Sequence, residues 1–211
     1  MKKVVGFGDY ILRLSPEGYL KFIQADKFVT FYTGAEANVC TSLAYMGVPV
    51  QFVTRLPENA IAECALSTLR KYNVGTDYIV SGGERIGIFY AEKGASQRPS
   101  KIVYDRKGSS FSQSAPSDYN WKEILSGAEI FHFTGITPAL GKNLAGICLE
   151  ACKTAKEMGI TVSCDLNYRK NMWTPEKAKE CMEEMLKYVD ILIANEEDAD
   201  NVLGIKAADT D

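Results

Sequence analysis

The chain has 211 residues, 46% of them hydrophobic, and a formal net charge of -3. That is long and apolar enough for one sizeable α/β core with a smaller appendage, and it excludes a disordered chain. Scattered lysines leave no positive field for a nucleic-acid backbone, and no run approaches the roughly 18 apolar residues of a membrane span.

The N-terminal stretch MKKVVGFGDYILRL breaks its apolar run at Asp9 and Arg13, so it reads as a first strand, KVVGFGD, rather than a signal peptide. Residues 11–33 alternate polar and apolar positions with Gly, Ser and Pro punctuation, which predicts an antiparallel hairpin with one wet face. A helix over Ala37 to Met46 follows, with Gly34 before it, Gly47 as its stop and Asn38 reading as buried one turn in. The strand VQFVTRL and the helix ENAIAECALSTLRKY come next. A second alternating excursion spans 79–114 and includes IGIFYAEKG and KIVYDRKGS. The remainder reads as strand EIFHFTG, a helix through LAGICLEACKTAKEM, strand ITVSCDLN, a helix through PEKAKECMEEMLKY and strand VDILIAN.

Strands rich in Val, Ile and Phe with little alternation require a sheet covered on both faces. The predicted fold class is α/β, a mostly parallel sheet sandwiched by helices, with a small β-sheet lid. The core is assigned to 1–10, 34–78 and 115–211, and the lid to 11–33 and 79–114. The main strands end in Gly8 and Asp9, Thr54 and Arg55, Thr134 and Gly135, Asp165, Asn167 and Arg169, and Asn195 and Glu196. In an open parallel sheet those carboxyl ends share one edge, where ligands bind. All five loops are therefore expected at one site.

Several chemistries find little support. Gly6-Phe7-Gly8 lacks the third glycine of a dinucleotide fingerprint and is not followed by a helix, which leaves an NAD-dependent enzyme a distant reading. No GxxxxGK[ST] loop and no nucleophile-elbow serine occurs. The six cysteines form no CxxC pair and His132 is the sole histidine, so a zinc site is poorly supported. Cys148 and Cys152 read as small hydrophobes on a helix face, and His132, inside EIFHF, as a packed strand residue. Reduced thiols fit a cytoplasmic protein.

The stretch GAEAN, Gly34 to Asn38, carries more. Gly34 lets a ligand approach backbone N–H groups at a helix start, and Asn38 supplies a donor and an acceptor; a polyol or sugar acid suits that equipment.

From residue 34 to about 75 the chain resembles the N-terminal signature of the ribokinase-like (PfkB) carbohydrate kinases: a Gly-rich turn, Asn, a helix ending in Gly, a strand, a second helix and a GVDT-like turn. RLPEN looks like the branch that contains 2-keto-3-deoxygluconate kinase. The resemblance continues through YDRKGSSFS, FHFTGITPAL, DLNYRKNMW and ANEEDA. It implies a sugar-acid site lined by Gly34, Ala35, Glu36, Ala37, Asn38, Tyr90, Tyr104, Asp105, Arg106 and Arg169. Arg106 and Arg169 are the natural partners of a substrate carboxylate, because a guanidinium forks onto two oxygens. The resemblance places ATP against Asn167, Tyr168, Arg169 and Asn195. It also implies Mg²⁺, held through water by Asp198, which stands where the family's NxxE motif has Glu.

The family's GAGD-like stretch, which supplies the anion hole and base, does not occur. The expectation is a kinase whose base lies beyond residue 211, transferring the ATP γ-phosphate to the terminal hydroxyl of 2-keto-3-deoxygluconate. A fructokinase-like or other sugar kinase is the near alternative, and a non-catalytic sugar-binding or dimerisation module the alternative of another class. A homodimer is expected through an apolar lid face containing Phe28, Phe31, Ile86 and Ile88.

Overall fold

The computed structural model describes residues 3–206. Its strands are β1 (Lys3–Phe7), β2 (Ile11–Pro16), β3 (Phe28–Thr33), β4 (Val50–Val53), β5 (Arg55–Leu56), β6 (Val80–Ser81), β7 (Ile88–Glu92), β8 (Lys101–Asp105), β9 (Ala128–Thr134), β10 (Thr161–Asp165) and β11 (Ile191–Ile193). Its helices are α1 (Ala35–Tyr45), α2 (Ala60–Lys71), α3 (Trp121–Ile124), α4 (Ile136–Ala139), α5 (Lys142–Glu157), α6 (Pro175–Leu186) and α7 (Glu196–Asp198).

The main sheet runs β11-β10-β9-β1-β4 and every pair in it is parallel. β1 sits inside this sheet, and its residues alternate between two cores. Val5 and Phe7 join a cluster with Phe131, Phe133, Ile147 and Met182, whereas Val4 joins one with Cys40, Phe52, Ala65 and Leu69. This double coverage is why KVVGF carries no polar alternation. α1 and α2 contribute to the second core, α5 and α6 to the first. The glycines of GFG serve this packing. A Cβ on Gly6 would lie 2.5 Å from Cys40 Sγ, and one on Gly8 would overlap the Glu36 carboxylate. They are a seat for α1 rather than a nucleotide fingerprint.

α2 shows the usual start signal: Asn59 Oδ1 accepts from the Ile61 and Ala62 N–H groups at 3.1 and 3.0 Å. α6 begins with Thr174 as cap and Pro175 in its first turn. α1 has no side-chain cap, as its sequence implies.

The small sheet runs β3-β2-β7-β8. Both expected hairpins are antiparallel, β2 with β3 and β7 with β8, but they join through a parallel pair, Leu12 opposite Ile88 and Leu14 opposite Tyr90. The sheet is therefore mixed, the two hairpins meeting through a pairing that the sequence reading left unspecified. Its strands in the second excursion cover only Ile88–Asp105. Val80 and Ser81 instead pair with Arg55 and Leu56, and Phe111 turns back into the main core. There the Phe7 ring meets Phe111, Tyr119 and Trp121 edge-on, at centroid distances of 5.4, 5.2 and 5.0 Å.

Phe28, Phe31, Ile86 and Ile88 do not form one face. The register puts Phe28 and Ile88 on one side of the small sheet and Phe31 on the other, and Ile86 is buried in a core. Period-two alternation does not say which strand neighbours which, so the shared face was not readable. His132 is packed as expected, with Nδ1 3.1 Å from Ser163 Oγ, and burial lowers its pKa. The six cysteines are free thiols. No helix among the described residues is long and apolar enough to cross a membrane.

Candidate functional site

A cleft of about 190 Å³ opens where the C-terminal edge of the parallel sheet meets the small sheet. Asp9 follows β1, Gly34 to Glu36 open α1, Ile136 follows β9, and Asn167 and Arg169 follow β10; Phe89, Tyr104 and Arg106 face them from the small sheet. The parallel topology delivers these loops to one edge. Two expected loops do not reach the cleft. Arg55 donates to the Gln113 carbonyl at 2.9 Å and lies 3.6 Å from Asp118. Asn195 caps α7, accepting from Asp198 N–H at 2.7 Å.

Within GAEAN, each residue does something different. Gly34 is a glycine because a Cβ would strike the Asp9 carbonyl oxygen, so the close neighbour is the chain's own backbone. Its φ of -170° is ordinary extended backbone. Ala35 lines the cleft, where the unpaired N–H groups of a first helical turn favour an anion. Ala37 points into the core and away from any ligand, because the turn of the helix puts it beside Cys40. Asn38 is exposed rather than buried, lines the cleft and accepts from Thr33 Oγ1 at 3.0 Å.

Glu36 is 1% exposed. Its Oε1 accepts from Thr134 N–H at 3.0 Å, Thr134 Oγ1 at 2.8 Å and Thr137 Oγ1 at 3.0 Å. Burial pushes its carboxyl up to about 7, against the pull of those hydrogen bonds.

Asp9 is equally deep. Burial pushes it up to about 6 while Arg106 pulls it down, and neither carboxylate oxygen has a hydrogen-bond partner among the described residues. Arg106 Nη1 is 3.7 Å from Asp9 Oδ2, Nη2 lies 2.9 Å from Met172 Sδ, and the guanidinium sits 4.7 Å over the Tyr104 ring. Thioether sulfur is a weak acceptor, so Arg106 retains donors for a ligand. Arg169 is exposed at the cleft and donates to the Tyr168 carbonyl at 3.1 Å. Asn167 takes φ 40°, a left-handed conformation that Asn tolerates, and its N–H donates to Asp165 Oδ1 at 3.0 Å.

Three expected side chains lie elsewhere. Tyr90 belongs to the opposite face of β7 from the cleft, its ring edge-on to Phe28 at 6.1 Å; Phe89 takes the place expected of it and stacks on Tyr104 at 5.8 Å. Asp105 pairs with Arg85 at 2.9 Å on that same opposite face. Tyr168 packs its ring into the main core and donates its hydroxyl to the Trp173 carbonyl at 3.2 Å. Asp9 was legible as a strand-end acid but not as the acceptor facing Arg106. Phe89 had no signal beyond strand alternation, which leaves the facing parity open.

Asp198 is 6% exposed, and burial raises its pKa, with Asp165 and Glu197 adding negative charge and Arg169 opposing them. Among the described residues no group of three or more His, Cys, Asp and Glu side chains gathers for direct metal ligation. An acidic neighbourhood without a full ligand set fits a hydrated Mg²⁺, which binds through few carboxylates and keeps most of its waters.

The whole chain, residues 1–211, matches the model of the pfkB family carbohydrate kinases. It is 33% identical over 203 residues to the 2-dehydro-3-deoxygalactonokinase of Haloferax volcanii, covering 95% of this chain and 63% of that protein. The solved structure of 2-dehydro-3-deoxygluconokinase from Thermotoga maritima superposes with a TM-score of 0.96 at 54% identity, covering 98% of this chain and 63% of that one. An uncharacterized sugar kinase from Pyrococcus horikoshii, solved in complex with ATP, shares the fold with a TM-score of 0.85 at 23% identity, covering 96% of this chain and 67% of its own. The chain thus spans about 63% of the length of the first two relatives. By the match along its whole length and the likeness of its fold, the chain belongs to the pfkB family of carbohydrate kinases.

Proposed function

We propose that this chain carries the sugar-acid site of an ATP-dependent kinase acting on 2-keto-3-deoxygluconate. One observation supports the reading above others: a buried carboxylate, Asp9, whose two oxygens have no hydrogen-bond partner among the described residues, lies beside an arginine with donors to spare, Arg106. A polyhydroxy acid complements both, hydroxyls donating to Asp9 and its carboxylate receiving Arg106 and Arg169. The 2-dehydro-3-deoxy sugar-acid kinases among its relatives favour the same substrate class. Fructose lacks the carboxylate that two cleft arginines would meet.

In this reading Asn167 and Arg169 stand at the border between sugar and ATP, Asn195 belongs to the ATP side, and Asp198 would hold Mg²⁺ through water. Bound Mg²⁺ would neutralise phosphate charge. The substrate hydroxyl forms the new bond to the γ-phosphorus as the bond to the β-phosphate oxygen breaks and ADP departs. The hydroxyl proton passes to a base that the family resemblance puts beyond residue 211. The chain's own contribution is to bind and orient the sugar, which is where a dissociative phosphoryl transfer gains most.

The small sheet acts as a lid and as the contact between two copies. Support comes from exposed apolar side chains on its two edge strands, Phe31 on β3 and Ile102 and Val103 on β8. Light scattering at micromolar concentration should give a dimer; a monomer overturns that part.

The functional test is calorimetric titration with 2-keto-3-deoxygluconate, gluconate and fructose. Saturable binding of the first, weakened in Arg106→Ala and Arg169→Ala, is expected. Equal or tighter binding of fructose would overturn the substrate.

A further inference from the structure

The mechanism leaves one buried acid without a task. Glu36 lines the cleft, yet one of its oxygens already accepts from Thr134 N–H, Thr134 Oγ1 and Thr137 Oγ1. An oxygen so occupied has little capacity for a substrate hydroxyl. Its other oxygen lies against Gly8, where even a Cβ would overlap it.

Those contacts bridge parts of the chain that are far apart in sequence. Glu36 stands in the first turn of α1, Thr134 ends β9 and Thr137 stands in α4. Through one carboxylate the turn that presents Gly34, Ala35 and Asn38 is tied to the corner that presents Ile136. Gly8 and Gly6 leave the room: the first for the carboxylate, the second for Cys40 one turn further along α1.

We propose that Glu36 is a positioning residue for the sugar-acid site, locking the first turn of α1 to the β9–α4 corner through a single acceptor oxygen, without itself binding the sugar. The inference rests on the sugar-acid reading for its functional consequence, and on geometry alone for the lock. Accepting oxygen, rather than negative charge, is the property required. Burial holds Glu36 up to about 7, so near neutrality the neutral carboxyl form is well populated and Oε1 is still an acceptor. Glutamine reproduces that form: one oxygen to accept and no charge.

The test compares Glu36→Gln, Glu36→Ala and Thr137→Val by two readouts on the full chain. Amide hydrogen exchange at Thr134 reports the lock directly, because its N–H donates to Glu36. Titration with 2-keto-3-deoxygluconate reports the function. Glu36→Ala should speed exchange at Thr134 and weaken sugar-acid binding, each by about tenfold, the scale of losing a buried hydrogen bond. Glu36→Gln should restore both towards the unaltered chain, and Thr137→Val should fall between. If Glu36→Ala fails to fold, Glu36→Gln and Thr137→Val still decide the matter.

Weakening by Glu36→Gln as severe as that by Glu36→Ala, with Thr134 still protected, would make Glu36 a direct ligand and overturn the proposal. So would an unchanged Thr134 in Glu36→Ala. If the unaltered chain binds no sugar acid while the exchange pattern holds, the substrate reading fails and the lock stands.

Discussion

Asp9 and Arg106 face each other across the cleft with Oδ2 and Nη1 3.7 Å apart, too long for a hydrogen bond and close enough for strong electrostatic coupling. Burial opposes the Asp9 charge and Arg106 supports it. Each holds binding capacity that the other does not use up, which supports the proposed sugar-acid site.

Arg106→Lys should therefore weaken 2-keto-3-deoxygluconate by roughly tenfold or more, since an ammonium cannot fork onto a carboxylate or stack over Tyr104 in the same way. Arg106→Ala should also leave Asp9 protonated at higher pH than about 6, because its supporting charge is gone. Carboxyl chemical shifts followed through a pH titration check the second effect.

The two buried acids give stability an unusual pH dependence. Glu36 is raised from 4.5 to about 7 and Asp9 from 3.8 to about 6. Between the ordinary and the raised values the folded chain holds protons that the unfolded chain has released. Stability from these groups is full below about pH 4, and is lost as pH rises through 6 to 7. Denaturant unfolding at pH 5 and pH 7.5 should show the fold weaker at the higher pH. Glu36→Gln should remove a share on the order of 3 kcal/mol of that difference.

Adjacent aromatics on β7 should behave oppositely. Phe89→Ala removes the ring that stacks on Tyr104 in the cleft and should weaken sugar binding by about tenfold. Tyr90→Ala acts on the other face, against Phe28, and should leave affinity within about twofold while costing roughly 1 to 2 kcal/mol of stability. Titration and unfolding of both variants separate the effects.

The tip of the small sheet is pinned by an ion pair between a buried carboxylate and a half-buried arginine. Glu92 Oε1 meets Arg98 Nη1 at 3.0 Å, its Oε2 accepts from Phe22 N–H at 2.9 Å, and Arg98 Nη2 donates to the Tyr19 carbonyl at 2.6 Å. This fixes a loop that leaves Ile23 93% exposed. Arg98→Ala strands a buried carboxylate and should cost about 1 to 3 kcal/mol. Limited proteolysis should then cut within residues 17–25 well before the unaltered chain is cut there.

Phe7 should be the costliest of the core positions around the Phe111, Tyr119 and Trp121 rings. Phe7→Ala empties the centre of that aromatic group and should destabilise by about 3 to 5 kcal/mol, read as a lower denaturant midpoint.

Much of this was legible in the chain itself. Apolar strands without alternation, helices with Asn59 or Thr174 at their starts, and alternating excursions are local patterns, each written by the physics of a few neighbouring residues. The α/β class, the parallel order of strand and helix, and the polar residues waiting at strand ends follow from them. So does family membership, since GAEAN, RLPEN and DLNYRKNMW keep their order.

What only the tertiary structure decided is which side of each element meets which neighbour. Whether Phe89 or Tyr90 faces the cleft depends on the parallel pairing of β2 with β7, a register that neither strand contains alone. Glycines at 6 and 8 look like a nucleotide loop until α1 is laid against them, when they become room for Cys40 and Glu36. Asp105 and Tyr168 carry the right chemistry but turn to Arg85 and to the core. Residue type and short-range pattern are properties of the chain, whereas orientation, burial and the charge felt by Asp9 or Glu36 arise only when distant segments exclude water from one another.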